Sequence, residues 1–407
     1  MSLDTGPTDP ALVGASDGDG DDRLVTPTFV LVTLAALGYF TALGMLLPVL
    51  PRYVEDDLGG SGLDIGLAVG AFAVSAALIR PAVGRLGDTR GRRPLAVVGA
   101  AVAAVSIAGY GLVESLPVLV GFRLLTGLGE GAFFVGAATA VQDLSPDHRR
   151  GEAASFFSTS LYAGLAIGPF VGELLYRHGG AGRVWLVAAV VAGVGSIVAT
   201  RIPGDLGRSE VAPERTERRL LHPAAFMPGT ILLLGLMGFA AFSAFLAIHL
   251  EDLGIDDAGP YFVVYGVSVL LVRLFGARVP DRLGAVRTTT VSLVAVAVGV
   301  VAIALVDAPV AIGAGTLVFS VGMSLLFPAL FGLVVNTAPA AERSHAVGTF
   351  SLFFDLSQGV GAPVLGVVVD LVGSDRAAFV AAAGAAVVAL VMARVRLPRA
   401  GSEVGPA

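Results

Sequence analysis

Two carboxylates and one arginine lie inside long apolar stretches of this chain. Glu130 lies in GFRLLTGLGEGAFFVGAATA, residues 121–140, and Asp355 lies in AVGTFSLFFDLSQGVGAPVLGVV, residues 346–368. Arg123 precedes Glu130 by seven residues, so the two side chains share one face of a helix. A carboxylate surrounded by apolar groups is costly in its charged form and is therefore suited to taking up and releasing a proton. Proton exchange is the chemistry that these residues offer.

The sequence offers little for other chemistries. It contains no cysteine, which excludes disulfides, thiol nucleophiles and Cys-bound metals. Its five histidines are scattered and lack metal-ligand spacing, so we expect no metal and no other cofactor. Neither a zinc-protease HExxH motif nor a phosphate-binding P-loop occurs in the sequence. We therefore expect that the protein is not an enzyme.

Apolar runs of about 20 residues, the length that crosses a bilayer, account for most of the chain. Hydrophobic residues make up 55% of the 407 positions and charged residues only 14%, well below the roughly 25% of soluble domains. The sequence predicts an all-α membrane protein with twelve spans, which lie at 27–50, 62–83, 94–113, 117–140, 151–175, 182–200, 224–249, 260–279, 287–306, 309–335, 344–372 and 376–396.

The loops between the spans set the predicted orientation and the domain boundaries. Most loop arginines follow even-numbered spans, and the positive-inside rule therefore predicts cytoplasmic termini in a plasma membrane protein. One long polar stretch, residues 201–223, divides the spans into two sets of six. We predict a disordered acidic tail at 1–24, an N-terminal six-helix bundle at 25–200, a cytoplasmic linker at 201–223, a C-terminal six-helix bundle at 224–397 and a cytoplasmic tail at 398–407.

The two sets of spans are internal repeats. A shift of 193 residues lays RPAVGRLGDTRG, residues 80–91, on RLFGARVPDRLG, residues 273–284. This alignment pairs arginine with arginine at the first position, Asp88 with Asp281, and Gly91 with Gly284. Because six is an even number, both repeats have the same orientation, an arrangement that places a substrate site between them near the bilayer midplane.

The loop after the second span carries a dense basic motif, GRLGDTRGRR, at residues 84–93. In this motif the chain resembles the major facilitator superfamily, whose corresponding loop links the two halves on the cytoplasmic side. The resemblance covers the chain after residue 24 and implies a conformational latch. It gives Asp88 as the latch acid and Arg92 as a partner of Asp143. The motif residues and their repeat counterparts are Gly84, Asp88, Gly91, Arg92, Arg93, Arg273, Asp281 and Gly284. An alternative is that the arginines set topology alone.

The two intramembrane carboxylates are predicted at mid-depth, one in each half. At 1.5 Å per residue, Glu130 lies about 20 Å from the outer end of span 4 and Asp355 about 16 Å from the inner end of span 11. We expect at least one of them to couple proton entry to substrate exit. The alternative is a fixed ion pair with Arg123, although that side chain leans away from Glu130. For Arg80 and Arg273, near inner span ends, we expect side chains that extend to the membrane surface.

Two further patterns bear on transport. Span 5 contains GLAIGPFVGE, in which Gly164, Gly168, Pro169 and Gly172 resemble the exchanger motif of the family, with Glu173 in place of its final glycine. Small residues four apart allow close helix packing, which predicts a surface on which the halves rock. The aromatic residues that we expect to line an apolar cavity are Tyr39, Phe40, Phe133, Phe134, Phe239, Phe242, Phe353 and Phe354.

The combined interpretation is a secondary transporter that works by alternating access. It favours proton-coupled export of a small organic molecule, similar to the drug-efflux branch of the family. An importer of a sugar or small organic acid is the first alternative, and a membrane-embedded enzyme or a passive channel is a weaker one. The expected partners are the lipid bilayer, protons and a small-molecule substrate, without nucleic acid, for a protein that we expect to be a monomer.

Overall fold

The computed structural model describes residues 24–146, 149–204, 206, 221–276, 279–339 and 342–397. In chain order the helices are α1 (Pro27–Arg52), α2 (Gly62–Arg90), α3 (Arg92–Gly109), α4 (Leu116–Asp143), α5 (Arg150–Ala199), α6 (Pro223–Asp252), α7 (Gly259–Phe275), α8 (Val279–Leu283), α9 (Ala285–Leu305), α10 (Pro309–Thr337), α11 (Arg343–Val372) and α12 (Arg376–Arg396). A π-helical turn, Tyr53–Asp57, continues α1.

These helices confirm the predicted all-α membrane fold. Within the described residues, 10 helices are long and apolar enough to cross a membrane. Helix α7 is also apolar but is shorter, with 17 residues. Helix α5 is 50 residues long and is broken at Gly179 and Gly180, where φ reaches +69° at Gly180. Spans 5 and 6 are therefore the two parts of α5. The sequence predicts a short loop between them, whereas the structure has only this two-residue break.

Local sequence signals explain where the helices begin. The Thr26 side chain accepts a hydrogen bond from the Phe29 amide at the start of α1. At the start of α2, Ser61 and Asp64 form a reciprocal capping box. Such caps satisfy backbone donors that the helix itself leaves unpaired. The apolar runs then continue each helix.

The helices pack as two halves. In the N-terminal half, α1 packs on α5, and α4 packs on both α2 and α3. In the C-terminal half, α9 packs on α10 and α12, and α6 packs on α11 and α12. The main contacts between halves are α2 with α11 and α5 with α7. Shifting by six spans exchanges these two contacts, so the interface follows the predicted internal repeat.

The glycine motif of span 5 packs within the N-terminal half. A Cβ atom at Gly164 would lie 2.7 Å from the Leu37 carbonyl oxygen, and Gly168 abuts Gly44 of the same helix, α1. Gly172 abuts Met45, the residue that follows Gly44 in α1. The expected close packing is present, but the expectation that this surface lies between the halves is wrong. The motif instead fastens α5 to α1, because only glycine leaves room for the two backbones.

A different set of small residues forms the contact between α2 and α11. Gly66 of α2 abuts the Ala362 carbonyl of α11, and a Cβ atom at Gly70 would lie 2.6 Å from the Gly359 carbonyl oxygen. On the other side of the molecule, Gly266 of α7 abuts Ala166 of α5. The halves therefore meet through backbone contacts at two symmetry-related places.

Polar contacts join the halves at the face that the sequence predicts to be outside, here called the outer face. Arg52 Nε lies 3.0 Å from Glu251 Oε2, and Arg177 Nη1 lies 3.0 Å from Asp257 Oδ2. Asp370 of α11 accepts hydrogen bonds from the first amides of α2, at 2.7 and 2.9 Å. Together with the small-residue contacts, these interactions close the molecule toward the outer face.

The predicted tail at 1–24, except Leu24, and the tail at 398–407 lie outside the described residues. The same holds for 205 and 207–220 in the predicted linker. The orientation in the membrane and the domain boundaries therefore stay predictions.

We predict that Gly66→Leu opens the outer face, because the larger side chain cannot fit against the backbone of α11. The chain lacks cysteine, so exposed Asp56→Cys and Asp256→Cys provide unique spin-label sites on the two halves. Electron spin resonance distance measurements should show longer inter-label distances in the Gly66→Leu protein. Gly121→Leu, on a face of α4 with open space, is the matched control and should leave the distances unchanged. An unchanged distance in Gly66→Leu would contradict the role of this contact.

Candidate functional site

Arg80 joins the two halves at mid-depth. Its Nη1 atom donates to both carboxylate oxygens of Asp355 on α11, at 2.6 and 2.5 Å. Its Nη2 atom lies 3.9 Å from Glu130 Oε2 on α4, and its guanidinium lies 5.3 Å from the centroid of the Phe134 ring. One arginine of α2 is therefore shared by a carboxylate from each half. We call Arg80, Glu130 and Asp355 the charge triad.

The charge triad corrects two expectations. Arg80 does not extend to the end of α2, which continues to Arg90; its side chain, 27% exposed, pairs with Asp355 instead. Glu130 does not pair with Arg123, and its partner comes from another helix. The side chains of Glu130 and Asp355 are only 8% and 9% exposed, so these charges depend on one another.

The charge triad has one more negative group than positive groups. Two ionised carboxylates against one guanidinium leave a net negative charge, and an unneutralised charge at mid-depth costs at least about 2.5 kcal/mol. Asp355 takes the short contacts, whereas buried Glu130 Oε2 has no hydrogen-bond partner. Binding one proton makes the triad neutral. The geometry is thus that of two carboxylates that share one guanidinium, with Asp355 in the closer contact.

Arg123 fastens α4 to α2 away from the triad. Its Nε atom donates to the Ala68 carbonyl at 2.7 Å, and its guanidinium lies 4.8 Å from the centroid of the Phe72 ring. Nη1 lies 3.4 Å from the Tyr110 hydroxyl. These partners all belong to the N-terminal half. In this conformation the contacts of Arg123 are therefore packing contacts within the N-terminal half.

The predicted cavity aromatics occupy several environments. Tyr39 is fully buried, and its ring stacks on Phe133 with centroids 4.0 Å apart. Half-buried Phe134 contacts Arg80, and half-buried Phe354 packs edge-on against Phe327 at 5.8 Å. In this conformation Tyr39 thus contributes to the packing of the N-terminal half. Only Phe134 of these residues contacts the charge triad directly through an aromatic face.

The basic loop after α2 has part of the geometry that the family resemblance implies. Arg92 Nε donates to Asp143 Oδ2 at 3.0 Å and thereby joins the start of α3 to the end of α4. The Arg92 amide donates to the Leu206 carbonyl at 3.1 Å. Asp143 belongs to the N-terminal half and Leu206 to the predicted linker, and Arg93 is exposed. The side chains of Asp88 and Asp281 lie outside the described residues.

Two glycines at corresponding positions of the internal repeat have the same backbone conformation. Gly91 has φ +88° between α2 and α3, and Gly284 has φ +81° between α8 and α9. Both positions adopt a backbone conformation that favours glycine, as required for a sharp turn. Gly84, by contrast, has open space around it.

A cavity of about 400 Å³ lies between the halves near their inner ends. Residues from α5, α7 and α10 line it, and Arg273 is its charged lining residue among the described side chains. Tyr39, Phe134 and Phe354 do not line it. The molecule is therefore closed at the outer face and has inter-half space toward the inner face.

The sequence did not reveal the ion pair of Arg80 with Asp355, nor the small-residue contact between α2 and α11. The internal repeat does relate the positions involved. The shift that aligns Arg80 with Arg273 also aligns Tyr162 of span 5 with Asp355 of span 11. Gly62, Gly66 and Gly70 are spaced by four residues, as packing glycines are, but spacing alone does not reveal which helix lies opposite.

Comparisons with known proteins agree with this architecture. Residues 32–361 match the Major Facilitator Superfamily. The chain is 32% identical over 370 residues to an uncharacterized MFS-type transporter of Salmonella typhimurium, covering 88% of this chain and 94% of that protein. It is 30% identical over 387 residues to an uncharacterized MFS-type transporter of Pseudomonas aeruginosa, covering 92% of each.

Solved structures share the fold at low sequence identity. A mutant of the nucleoside transporter NupG has a TM-score of 0.76 with 15% identity, covering 90% of this chain and 99% of that one. A bacterial homologue of the human lysosomal transporter Spinster, inward-facing and occupied, has a TM-score of 0.74 with 16% identity, covering 90% and 95%.

Two repeated helical halves with an inter-half site define a multi-pass membrane transporter. The chain belongs to the Major Facilitator Superfamily, and its relatives are transporters.

We predict that Arg123→Gln lowers the melting temperature of the purified protein, because it removes charged hydrogen bonds between α4 and α2 worth about 1–3 kcal/mol. Thermal unfolding in detergent measures the effect. Arg394→Gln, at an exposed arginine of α12, is the control for loss of one charge and should melt like the native protein. If Arg123→Gln keeps its melting temperature but loses gradient-driven transport, Arg123 belongs to the coupling site instead.

Proposed function

We propose that the protein is a proton-coupled exporter that works by alternating access and moves a small organic molecule across the plasma membrane. The charge triad supports this proposal more than any other observation. It spans the contact between the halves, and its charge is balanced only when one proton is bound. A change in protonation therefore changes the attraction between α2 and α11.

The coupling step that we propose uses Arg80 as a shared partner. With Glu130 protonated, Arg80 is fully available to Asp355, and the contact between the halves is neutral and closed at mid-depth. With Glu130 ionised, it competes with Asp355 for the same guanidinium and weakens that contact. Loss of the proton thus favours separation of α2 from α11.

The remaining geometry agrees with alternating access. The outer face is closed by backbone contacts and ion pairs, while inter-half space lies toward the inner face. A conformation of this kind receives a ligand from the side of the inner cavity. For a chain with cytoplasmic termini, that side is the cytoplasm, which favours export and the drug-efflux branch. The membrane orientation, the monomeric state and the latch role of the basic loop belong to this proposal.

We predict that Glu130→Gln and Asp355→Asn abolish transport driven by a pH gradient. The first removes the group that takes up and releases the proton, and the second removes the carboxylate with which Glu130 competes for Arg80. Purified protein in sealed proteoliposomes, with an imposed pH gradient, is assayed against a panel of anionic, neutral and cationic fluorescent dyes. Both variants should lose gradient-driven accumulation, by about tenfold or more as for removal of an essential proton carrier. Exchange of dye without a gradient should persist in Glu130→Gln.

Glu114→Gln is the matched control, because Glu114 is exposed outside the spans and should leave gradient-driven transport unchanged. The double variant Arg80→Asp with Asp355→Arg exchanges the two charges. It tests whether the ion pair still joins the halves when its direction is reversed. Full gradient-driven accumulation in both carboxylate variants contradicts proton coupling through the triad.

A further inference from the structure

Arg273 is a positive charge at the second inter-half contact. It lies on α7, and its Cζ atom is 3.7 Å from the centroid of the Tyr162 ring on α5. Its Nε atom is buried and has no hydrogen-bond partner. Within the described part of the chain, no carboxylate oxygen lies within 4.0 Å of its guanidinium. The ring face attracts the cation but does not neutralise it.

The internal repeat shows which group is missing. Under the 193-residue shift, Arg80 corresponds to Arg273 and Tyr162 corresponds to Asp355. At the contact of α2 with α11 the arginine meets a carboxylate, and at the contact of α5 with α7 it meets a neutral phenol ring. The two sites thus share one arrangement, except that no described carboxylate takes the counterion position at the second.

The 400 Å³ inner cavity lies directly against this unneutralised charge. Arg273 lines the cavity together with the hydroxyl-bearing residues Ser158, Thr159 and Ser324, and the remaining lining is mostly apolar. None of the described residues that line it is acidic. The volume falls within the 300–1,000 Å³ range of small-molecule sites. Such a cavity suits a ligand with one anionic group and an apolar body.

We propose that Arg273 binds the anionic group of the transported molecule, a carboxylate or phosphate, and that the substrate is a small organic anion. The inference rests on the proposed transport function and names its substrate class. The ligand anion takes the position that Asp355 holds opposite Arg80. A guanidinium presents donors that match a planar carboxylate, which gives both charge and orientation selectivity.

The test compares 1-naphthoate with its uncharged analogue 1-naphthamide, using full-length protein in phosphatidylcholine nanodiscs and isothermal titration calorimetry. We expect naphthoate to bind about tenfold or more tightly than naphthamide, the difference made by one charge-assisted contact. Arg273→Gln should reduce naphthoate binding to the level of naphthamide. Arg282→Gln removes an exposed arginine outside the cavity lining and should bind naphthoate normally.

A second variant tests the same site in case Arg273→Gln does not fold. Tyr162→Asp leaves Arg273 in place but installs the carboxylate that the repeat has at position 355. We expect this internal counterion to abolish naphthoate binding while the protein remains folded. Equal binding of naphthoate and naphthamide, or native naphthoate binding in either variant, overturns the proposal.

Nanodiscs that contain phosphatidylglycerol distinguish a soluble anion from a lipid headgroup. Unchanged naphthoate affinity supports a site for a soluble substrate. Loss of naphthoate binding that depends on Arg273 shows that the headgroup occupies the site, and it overturns the assignment to the transported molecule. Because calorimetry uses no proton gradient, this experiment can fail while Glu130→Gln still shows proton coupling, and the reverse can also occur.

Discussion

The ion pair between Arg80 and Asp355 joins the two halves of the molecule where water is scarce. Breaking a buried pair without replacing a partner leaves an isolated charge, which is costly in a low-dielectric interior. The second carboxylate, Glu130, lies close enough to compete for the same guanidinium. In the proposed transport cycle, the relative position of the halves and the protonation of the triad are therefore linked.

Around this pair, the halves meet through two different kinds of interface. Glycines bring the backbones of α2 and α11 together, as do Gly266 and Ala166 at α5 and α7. Backbone contacts of this kind are either closely packed or lost, so they favour distinct conformations over gradual deformation. The glycine motif of span 5 has the opposite task, because it holds α5 to α1 within one half.

Much of the fold follows from the sequence, because lipid restricts a spanning segment to a helix and apolar length reveals each span. The depth of Glu130 and Asp355 follows from the same counting. The partner of Glu130 does not, since helical periodicity gives the face of a residue but not the helix opposite. Arg80 was misassigned because the apolar run ends near 83, whereas α2 continues to Arg90. Likewise, the spacing of glycines predicted close packing correctly but not its location.

The carboxylate of Asp370 on α11 caps the first amides of α2 across the outer face. Nearby, the pair of Arg177 and Asp257 is about half exposed. Mobile ions screen exposed charges over about 8 Å at physiological ionic strength, whereas glycine backbone contacts are insensitive to them. Salt at the outer face therefore weakens only the electrostatic part of the outer closure. In the proposed transport cycle, salt at the outer face therefore shifts the balance between conformations alongside the proton.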